Sequence, residues 1–183
     1  MKMLLMLVGF TTLVITSQAQ NIYITKTGQV AFYSKTPLEN IDGVNNEVSS
    51  ILNTSTGELV FTLLVKSFHF ERALLEEHFN ENYMESSKIP KSTFKGKITN
   101  LTAVNFAKDG AYSTTVDGDL TIHGVTQKVT APGTITVKAG KITAVSSFKI
   151  KIKDYGIKIP TLVADKIAEV VEIKVNCVYE PKK

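Results

Sequence analysis

The sequence predicts a mainly β protein: an eight-stranded antiparallel barrel with one short inserted helix. Apolar and polar residues alternate with a period of two along most of the chain, as they do when successive strand side chains point to opposite faces. Only one segment has helical spacing, and the βαβ rhythm of a parallel sheet is missing. About eight antiparallel strands tend to curl, and closing them removes exposed sheet edges. A closed barrel is therefore the expected fold.

Strands in the first half of the chain are less regular than those in the second. Residues 29–36 alternate weakly, and residues 51–54 predict a short strand. The strand predicted at 58–68 is apolar on both faces, so we expect another element to cover it. Residues 71–84 carry apolar side chains at approximately helical spacing and form the predicted inserted helix. Alternation resumes in a strand at 93–101.

The second half predicts a meander of hairpin-linked strands and one final strand. A turn at 124–127 follows His123, and Gly140, which readily takes a positive φ, lies in the next turn. Cys177 falls on the apolar face of the last strand, where a free thiol packs as a small buried hydrophobe. The predicted strands are 112–123, 129–137, 142–152 and 170–179.

Residues 1–19 are typical of a secretory signal peptide. Lys2 precedes an apolar run at 3–15, and small residues lie just before the expected cleavage point near Ala19 and Gln20. The run is shorter than the roughly 20 residues that span a bilayer, and no later segment predicts a transmembrane helix. We expect a periplasmic or secreted protein in which residues 20–183 form one domain.

Composition argues against several classes of protein. The formal charge of +4 is spread thinly, without the basic patch that nucleic-acid binding requires. Hydrophobic residues make up 43% of the chain and charged residues 21%, which is ordinary globular usage rather than disorder. The single cysteine, Cys177, cannot form a disulfide within the chain, so burial and hydrogen bonds must stabilise the fold.

The sequence contains no recognisable catalytic motif. A G-x-S-x-G elbow, an H-E-x-x-H helix and a phosphate-binding glycine loop are all missing. Asp117, Asp119 and His123 share one strand face and could supply an acid and a base, while 76–78 with Glu81 could form a weak divalent-ion site on the helix. Solvated surfaces explain both groups more simply. We therefore predict no catalytic residue, no metal site and no cofactor.

The inward face of the barrel is the remaining candidate for function. An eight-stranded barrel is either filled by its own side chains or just wide enough to hold one small ligand. Small residues on neighbouring inward positions favour a hollow interior, although a dry, filled core stays an alternative. These small residues are Gly118, Gly124, Ala131, Gly133, Ala144 and Ser146.

Four segments, in order, resemble the YceI-like family. They are FNENYMES at 79–86, Pro90 followed by TFKG at 93–96, GDLTIHGVT at 118–126 followed by Val129 and Thr130, and DYG at 154–156. The resemblance extends from about Gly28 to Tyr179. That family consists of lipid- or polyisoprenoid-binding proteins that bacteria usually export. It implies an elongated, lipocalin-like barrel with an apolar pore for a long isoprenoid chain, and it places His123 at the rim or outside.

Alternation along the strands then selects the side chains that would line such a pore. The assignment at Phe61 is the least constrained, because both faces of its strand are apolar. The predicted pore-lining residues are Phe61, Leu63, Val65, Tyr112, Val116, Leu120, Ile122, Val129, Ile135, Phe148, Ile150, Val171, Ile173 and Val175.

Residues and resemblance together predict a binding protein. It would sequester or carry a long-chain apolar ligand, such as an isoprenoid quinone, a polyisoprenoid or a related lipid, driven by removal of apolar surface from water. One alternative is an enzyme acting on a lipid or isoprenoid substrate, with His123 and Asp119 as acid and base. Another is an envelope stress or interaction scaffold with a filled barrel. The sequence leaves open whether two chains associate as a homodimer.

Overall fold

The structure is a computed structural model that describes residues 21–182, so the predicted signal peptide lies outside the described residues. One helix, α1 (Ala73–His78), continues directly into a π-helical turn at Phe79–Tyr83. The strands are β1 (Ile22–Lys35), β2 (Asn40–Asn53), β3 (Glu58–Leu64), β4 (His69–Phe70), β5 (Lys91–Ile98), β6 (Gly110–Ile122), β7 (Val125–Lys138), β8 (Lys141–Lys151) and β9 (Val170–Pro181).

Eight of these strands close into an antiparallel barrel. Their order around the wall is β1-β9-β8-β7-β6-β5-β3-β2, and β1 pairs with β2 to complete the ring. The two-residue strand β4 pairs with β2 at Gly43 and Val44 and is not counted among the eight. The predicted eight-stranded antiparallel barrel with one short helix is confirmed. Between residues 21 and 182, none of the helices has the length and apolarity to cross a bilayer.

Two-residue turns join the strands of the meander. His123 and Gly124 both have positive φ, 50° and 75°, and connect Ile122 to Val125. Ala139 and Gly140 have φ of 50° and 76° in the turn between β7 and β8. Positive φ at both central residues matches the strand twist of tight hairpins. The first turn is therefore shorter than the predicted 124–127, and β7 begins at Val125.

Strands β1 and β2 are longer than the sequence pattern predicts. Each has 14 residues, against the predicted ranges 29–36 and 51–54. In β2 the inward positions include two polar residues that are fully buried, Asn45 and Ser50. Asn45 Nδ2 donates to the carbonyl of Leu64 at 2.9 Å, and Ser50 Oγ donates to the carbonyl of Val60 at 2.9 Å. Because these hydrogen bonds remove the penalty for burial, polar residues occupy core positions and hide the alternation.

Strand β3 is shorter than predicted, because the chain leaves the sheet at Val65. That residue begins a 3-10 turn, Val65–Ser67, and its backbone N–H donates to the carbonyl of Pro90 at 2.9 Å. The predicted helix at 71–84 is present, but only six residues are α-helical before the π-helical turn.

One end of the barrel, which we call the filled end, is packed solid. It holds the first residues of β1, β3, β6 and β8 and the last residues of β2, β5, β7 and β9. The Tyr179 hydroxyl donates a 2.7 Å hydrogen bond to Ser50 Oγ inside this cluster, because the Ser50 hydrogen is already given to Val60. Burial raises the pKa of the Tyr179 phenol. The buried residues of the cluster are Leu52, Leu59, Ile98, Ile135, Val137, Ile142, Cys177 and Tyr179.

Cys177 is expected to be unreactive in the native protein. Its thiol is completely buried, and burial raises its pKa to about 11, so the reactive thiolate is both rare and inaccessible near pH 8. An aromatic disulfide reagent should label it only after denaturation. A Lys149→Cys variant in a Cys177→Ser background should react at once, since Lys149 is exposed on β8. Rapid labelling of native Cys177 would contradict the packing of the filled end.

Candidate functional site

A cavity of about 470 Å³ occupies the barrel between the filled end and the opposite end. This volume lies within the roughly 300–1,000 Å³ typical of small-molecule sites. Every strand of the ring contributes to its wall, and most of the wall is aliphatic or aromatic. The deepest wall residues, such as Ile98 and Tyr179, belong to the filled end. Polar side chains, including Glu39, Arg72 and Lys166, lie on the wall near the other end.

That other end, which we call the rim end, carries the two longest connections of the chain. The β1–β2 turn at 36–39, the helical segment between β4 and β5, the β6–β7 turn and the segment 152–169 all leave the strands there. The antiparallel order forces this, because alternate connections emerge at the same end of the barrel. These connections therefore complete the cavity wall at the rim end.

The structure brings eleven of the predicted pore-lining residues together on the cavity wall. Contact between these side chains and a ligand stays a prediction. The eleven are Phe61, Leu63, Val116, Leu120, Ile122, Ile135, Phe148, Ile150, Val171, Ile173 and Val175.

Three predicted residues lie off the cavity wall. Val65 is completely buried but stands in the 3-10 turn after β3, so it has left the sheet face that lines the cavity. Tyr112 packs on the filled end, and its hydroxyl donates to the carbonyl of Lys108 at 2.9 Å. Val129 has inward parity but lies on the part of β7 that extends beyond β8, whose pairing starts at Gly133.

Small inward residues create space at four positions, as expected: Ala131, Gly133, Ala144 and Ser146 lie on the cavity wall. Gly124 instead forms the β6–β7 turn.

Gly118 has a different role from the other small residues. It pairs with Gly96 on β5, and a Cβ on Gly118 would lie 2.5 Å from Cζ of Phe94 and 2.5 Å from the carbonyl oxygen of Lys95. A Cβ on Gly96 would likewise lie 2.5 Å from Cζ of Phe94. The two facing glycines thus make room for the Phe94 ring, which itself lines the cavity.

An aromatic cluster at the rim end was missing from the predicted site. The ring centroid of Phe79 lies 5.4 Å from that of Phe32, 5.5 Å from Phe68 and 5.0 Å from Phe70. All four rings line the cavity. Aromatic contacts of this kind stabilise a fold by more than the burial of their apolar area alone. Phe79 therefore holds the helical segment against the rim end of the barrel. The alternation of Phe68 and Phe70 around His69 is the sequence signal that could have identified the cluster.

The segment 152–169 supplies a further part of the wall that the sequence pattern did not predict. It begins with a 3-10 turn at Ile152–Tyr155, and six of its side chains, five of them apolar, line the cavity. The backbone N–H of Ala168 donates to Ser34 Oγ at 2.9 Å, which ties the end of this segment to β1. The cavity-lining residues of the segment are Ile152, Ile157, Ile159, Val163, Lys166 and Ile167.

The His123 side chain bridges the helical segment and the segment 152–169 at the rim end. Its Nε2 lies 3.3 Å from Oε2 of Glu85, just after the helical segment, and its Nδ1 lies 3.3 Å from the carbonyl oxygen of Tyr155. Its side chain is only 15% exposed, so it is not on a solvated face. Asp117 accepts a hydrogen bond from Thr130, and Asp119 pairs with Lys128. The three residues therefore have separate partners.

A family model for the YceI-like domain matches residues 23–179. The chain belongs to the YceI-like family. Several solved structures of other proteins have a similar fold to this chain. A polyisoprenoid-binding domain from Saccharophagus degradans, implicated in plant cell wall breakdown, has a TM-score of 0.77 at 16% identity, covering 89% of this chain and 99% of its own.

Two further solved structures have a similar fold. Burkholderia cenocepacia BcnA has a TM-score of 0.69 at 19% identity, with 84% of this chain and 96% of its own chain covered. The YceI protein of Campylobacter jejuni has a TM-score of 0.52 at 18% identity, with 97% and 94% covered. Among curated proteins, none matches this sequence.

The acidic residues of the helical segment do not converge in this YceI-like protein. Glu76 accepts a 3.3 Å hydrogen bond from the backbone N–H of Phe70 and lies 3.6 Å from Nδ1 of His69. It therefore holds α1 against β4. Within residues 21–182, no three His, Cys, Asp or Glu side chains are grouped closely enough to hold a metal ion.

Substitution of Gly118 tests how the two facing glycines shape the wall. Gly118→Ala should lower the free energy of unfolding by about 2–3 kcal/mol, because the new Cβ meets a backbone oxygen that cannot move aside. Chemical denaturation measures the change. Gly140→Ala is the control: it has open space and only an unfavourable φ, which costs on the order of 1 kcal/mol. Equal losses in the two variants would contradict the steric account.

Lowering the pH should remove the stabilisation that the Glu85 carboxylate gives to the fold at the rim end. Lys88, and secondarily His123, lower the pKa of Glu85 below its ordinary value of 4.5. A lowered pKa stabilises the fold above the unfolded value and loses that effect as the pH falls through the folded value. Wild type should thus have a higher Tm than Glu85→Gln at neutral pH, with the difference vanishing in acid. A difference that grows in acid would refute the assignment.

Proposed function

We propose that this YceI-like protein binds a long-chain apolar molecule inside its barrel and sequesters or carries it. Isoprenoid quinones, polyisoprenoids and related lipids are the proposed ligands. The observation that carries the proposal is the cavity of about 470 Å³, whose wall is mostly aliphatic and aromatic. A hollow of this kind favours a flexible hydrocarbon chain over a polar metabolite, because polar groups inside it would lose their hydrogen bonds to water.

The shape of the cavity indicates how such a ligand would lie. The filled end is packed by Leu52, Ile98 and Tyr179, whereas Glu39, Arg72 and Lys166 stand near the mouth. The hydrocarbon tail would enter first and the polar head would stay at the rim end. A tail burying roughly 400 Å² gains on the order of 10 kcal/mol before ordering costs, which is sufficient for micromolar affinity.

One comparison and the N-terminal sequence support this proposal. The matched domain from Saccharophagus degradans is a polyisoprenoid-binding domain, and its barrel superposes over most of this chain. Residues 1–19 of the sequence favour export, so we place the binding protein in the periplasm or the medium.

An enzyme is less well supported than a binding protein. The candidate acid and base, Asp119 and His123, pair with Lys128 and Glu85 respectively and present no shared position for a substrate. A filled scaffold is also disfavoured, because the cavity lies open between the filled end and the mouth.

Filling the cavity should weaken binding. Ala144 lines the wall on β8, and Ala144→Phe would put a ring into the space that the ligand tail needs. Equilibrium binding of a short-tailed ubiquinone should weaken about tenfold or more, the loss expected when apolar contact area is displaced. Val178→Phe is the matched control, because Val178 is half-exposed on the outside of β9.

The control variant should bind as wild type does, and circular dichroism should show that both variants keep the barrel. Extraction of the protein from its native host, followed by mass spectrometry, should recover an apolar molecule. Wild-type protein that binds no apolar probe and carries none would overturn the proposed function in favour of a scaffold.

A further inference from the structure

Three leucines are the most exposed large hydrophobic residues in the described part of the chain. Leu162 is 90% exposed, Leu38 is 65% exposed and Leu74 is 60% exposed. The other large hydrophobics with exposed side chains lie on strands, and none exceeds 50%. Isolated exposed leucines are common in soluble proteins, but a cluster in one place marks a binding surface.

All three leucines lie at the rim end. Leu38 is in the β1–β2 turn, Leu74 is in α1 and Leu162 is in the segment between β8 and β9. The antiparallel order brings these three connections to the same end of the barrel.

Specific contacts join the three segments around the mouth. Glu39, next to Leu38, forms an ion pair with Arg72, two residues before Leu74. The backbone N–H of Ala168, at the end of the segment that holds Leu162, donates to Ser34 Oγ at 2.9 Å, just before the β1–β2 turn. The leucines therefore lie on three connected segments at the cavity mouth, which we call the apolar rim.

We propose that this rim docks the mouth of the barrel onto the surface of a phospholipid bilayer. This inference rests on the proposed function, because it supplies a route for the ligand. A long hydrocarbon chain is costly to expose to water, so a mouth pressed against the bilayer lets the chain slide directly between membrane and cavity. Exposed apolar side chains beside polar ones are the feature by which proteins lie on a membrane interface.

The size of the rim favours a bilayer over a second copy of the chain. Three leucine side chains present only a few hundred Å² of apolar surface. A stable dimer buries about 800 Å² on each partner. A bilayer needs no such area or matching shape, because its acyl chains adapt to the side chains that enter them.

Charge around the rim does not drive docking. The rim-end connections 36–39, 71–90 and 152–169 carry five cations, which are Arg72, Lys88, Lys153, Lys158 and Lys166. They carry nine anions, which are Glu39, Glu71, Glu76, Glu77, Glu81, Glu85, Asp154, Asp165 and Glu169. Because anions outnumber cations, docking should depend on the leucines, and salt, which screens repulsion from anionic lipid, should not weaken it.

The test uses protein from Gln20 to Lys183, which contains every strand of the closed barrel. Ligand-free protein is mixed with vesicles of phosphatidylethanolamine and phosphatidylglycerol, and its partitioning is measured by sedimentation. The double variant Leu38→Ser, Leu162→Ser should partition onto the vesicles at least about tenfold more weakly, because it lacks two apolar side chains that would enter the bilayer. The matched control is Ile51→Ser, Val178→Ser, two half-exposed residues on the barrel wall, which should partition as wild type does.

Leu38 and Leu162 are not on the cavity wall, so the double variant should still take up a short-tailed ubiquinone from solution. Wild-type protein that takes up the quinone but does not sediment with vesicles would overturn the docking and leave the binding function intact. Sedimentation with vesicles without quinone uptake would retain the docking and refute the binding function. Equal loss of partitioning in both double variants, or a wild-type dimer that the rim variant makes monomeric, would also overturn the docking.

Discussion

The pairing of β1 with both β9 and β2 is the constraint on which the rest of the structure depends. It closes the sheet, so each strand of the ring has a partner on both sides. It also fixes which side chains face inward, because a slip of one residue would turn the cavity wall to the outside. The register of β1 shifts near Gly28, where a Cβ would lie 2.5 Å from Cys177 Sγ, so closure also requires a glycine there.

The strands of the meander could be predicted from sequence because their alternation is unbroken. In β6, β7, β8 and β9 the apolar positions of the pattern are mostly the inward positions of the barrel. The pattern fails in β2, where Asn45 and Ser50 are buried and satisfied by carbonyl groups of other strands. Alternation reports polarity, whereas burial depends on hydrogen-bond partners that are distant in sequence.

One part of the candidate site could be predicted from the sequence, and the other part could not. Its deep wall consists of strand residues whose direction follows from local pattern, such as Val116 and Ile135. Its mouth depends on contacts between distant segments: Phe79 against Phe32, Ala168 against Ser34, and His123 between Glu85 and Tyr155. These segments have neither strand nor long helical periodicity, so no local rule predicts where they lie.

Packing by Leu52, Ile98 and Tyr179 closes the filled end, so a hydrocarbon tail that enters the cavity stops there. The depth of the cavity then limits the length of tail that can be buried. A hydrocarbon shorter than this depth leaves unfilled space behind it, and a longer one leaves carbons outside in contact with water, so affinity should peak at one chain length.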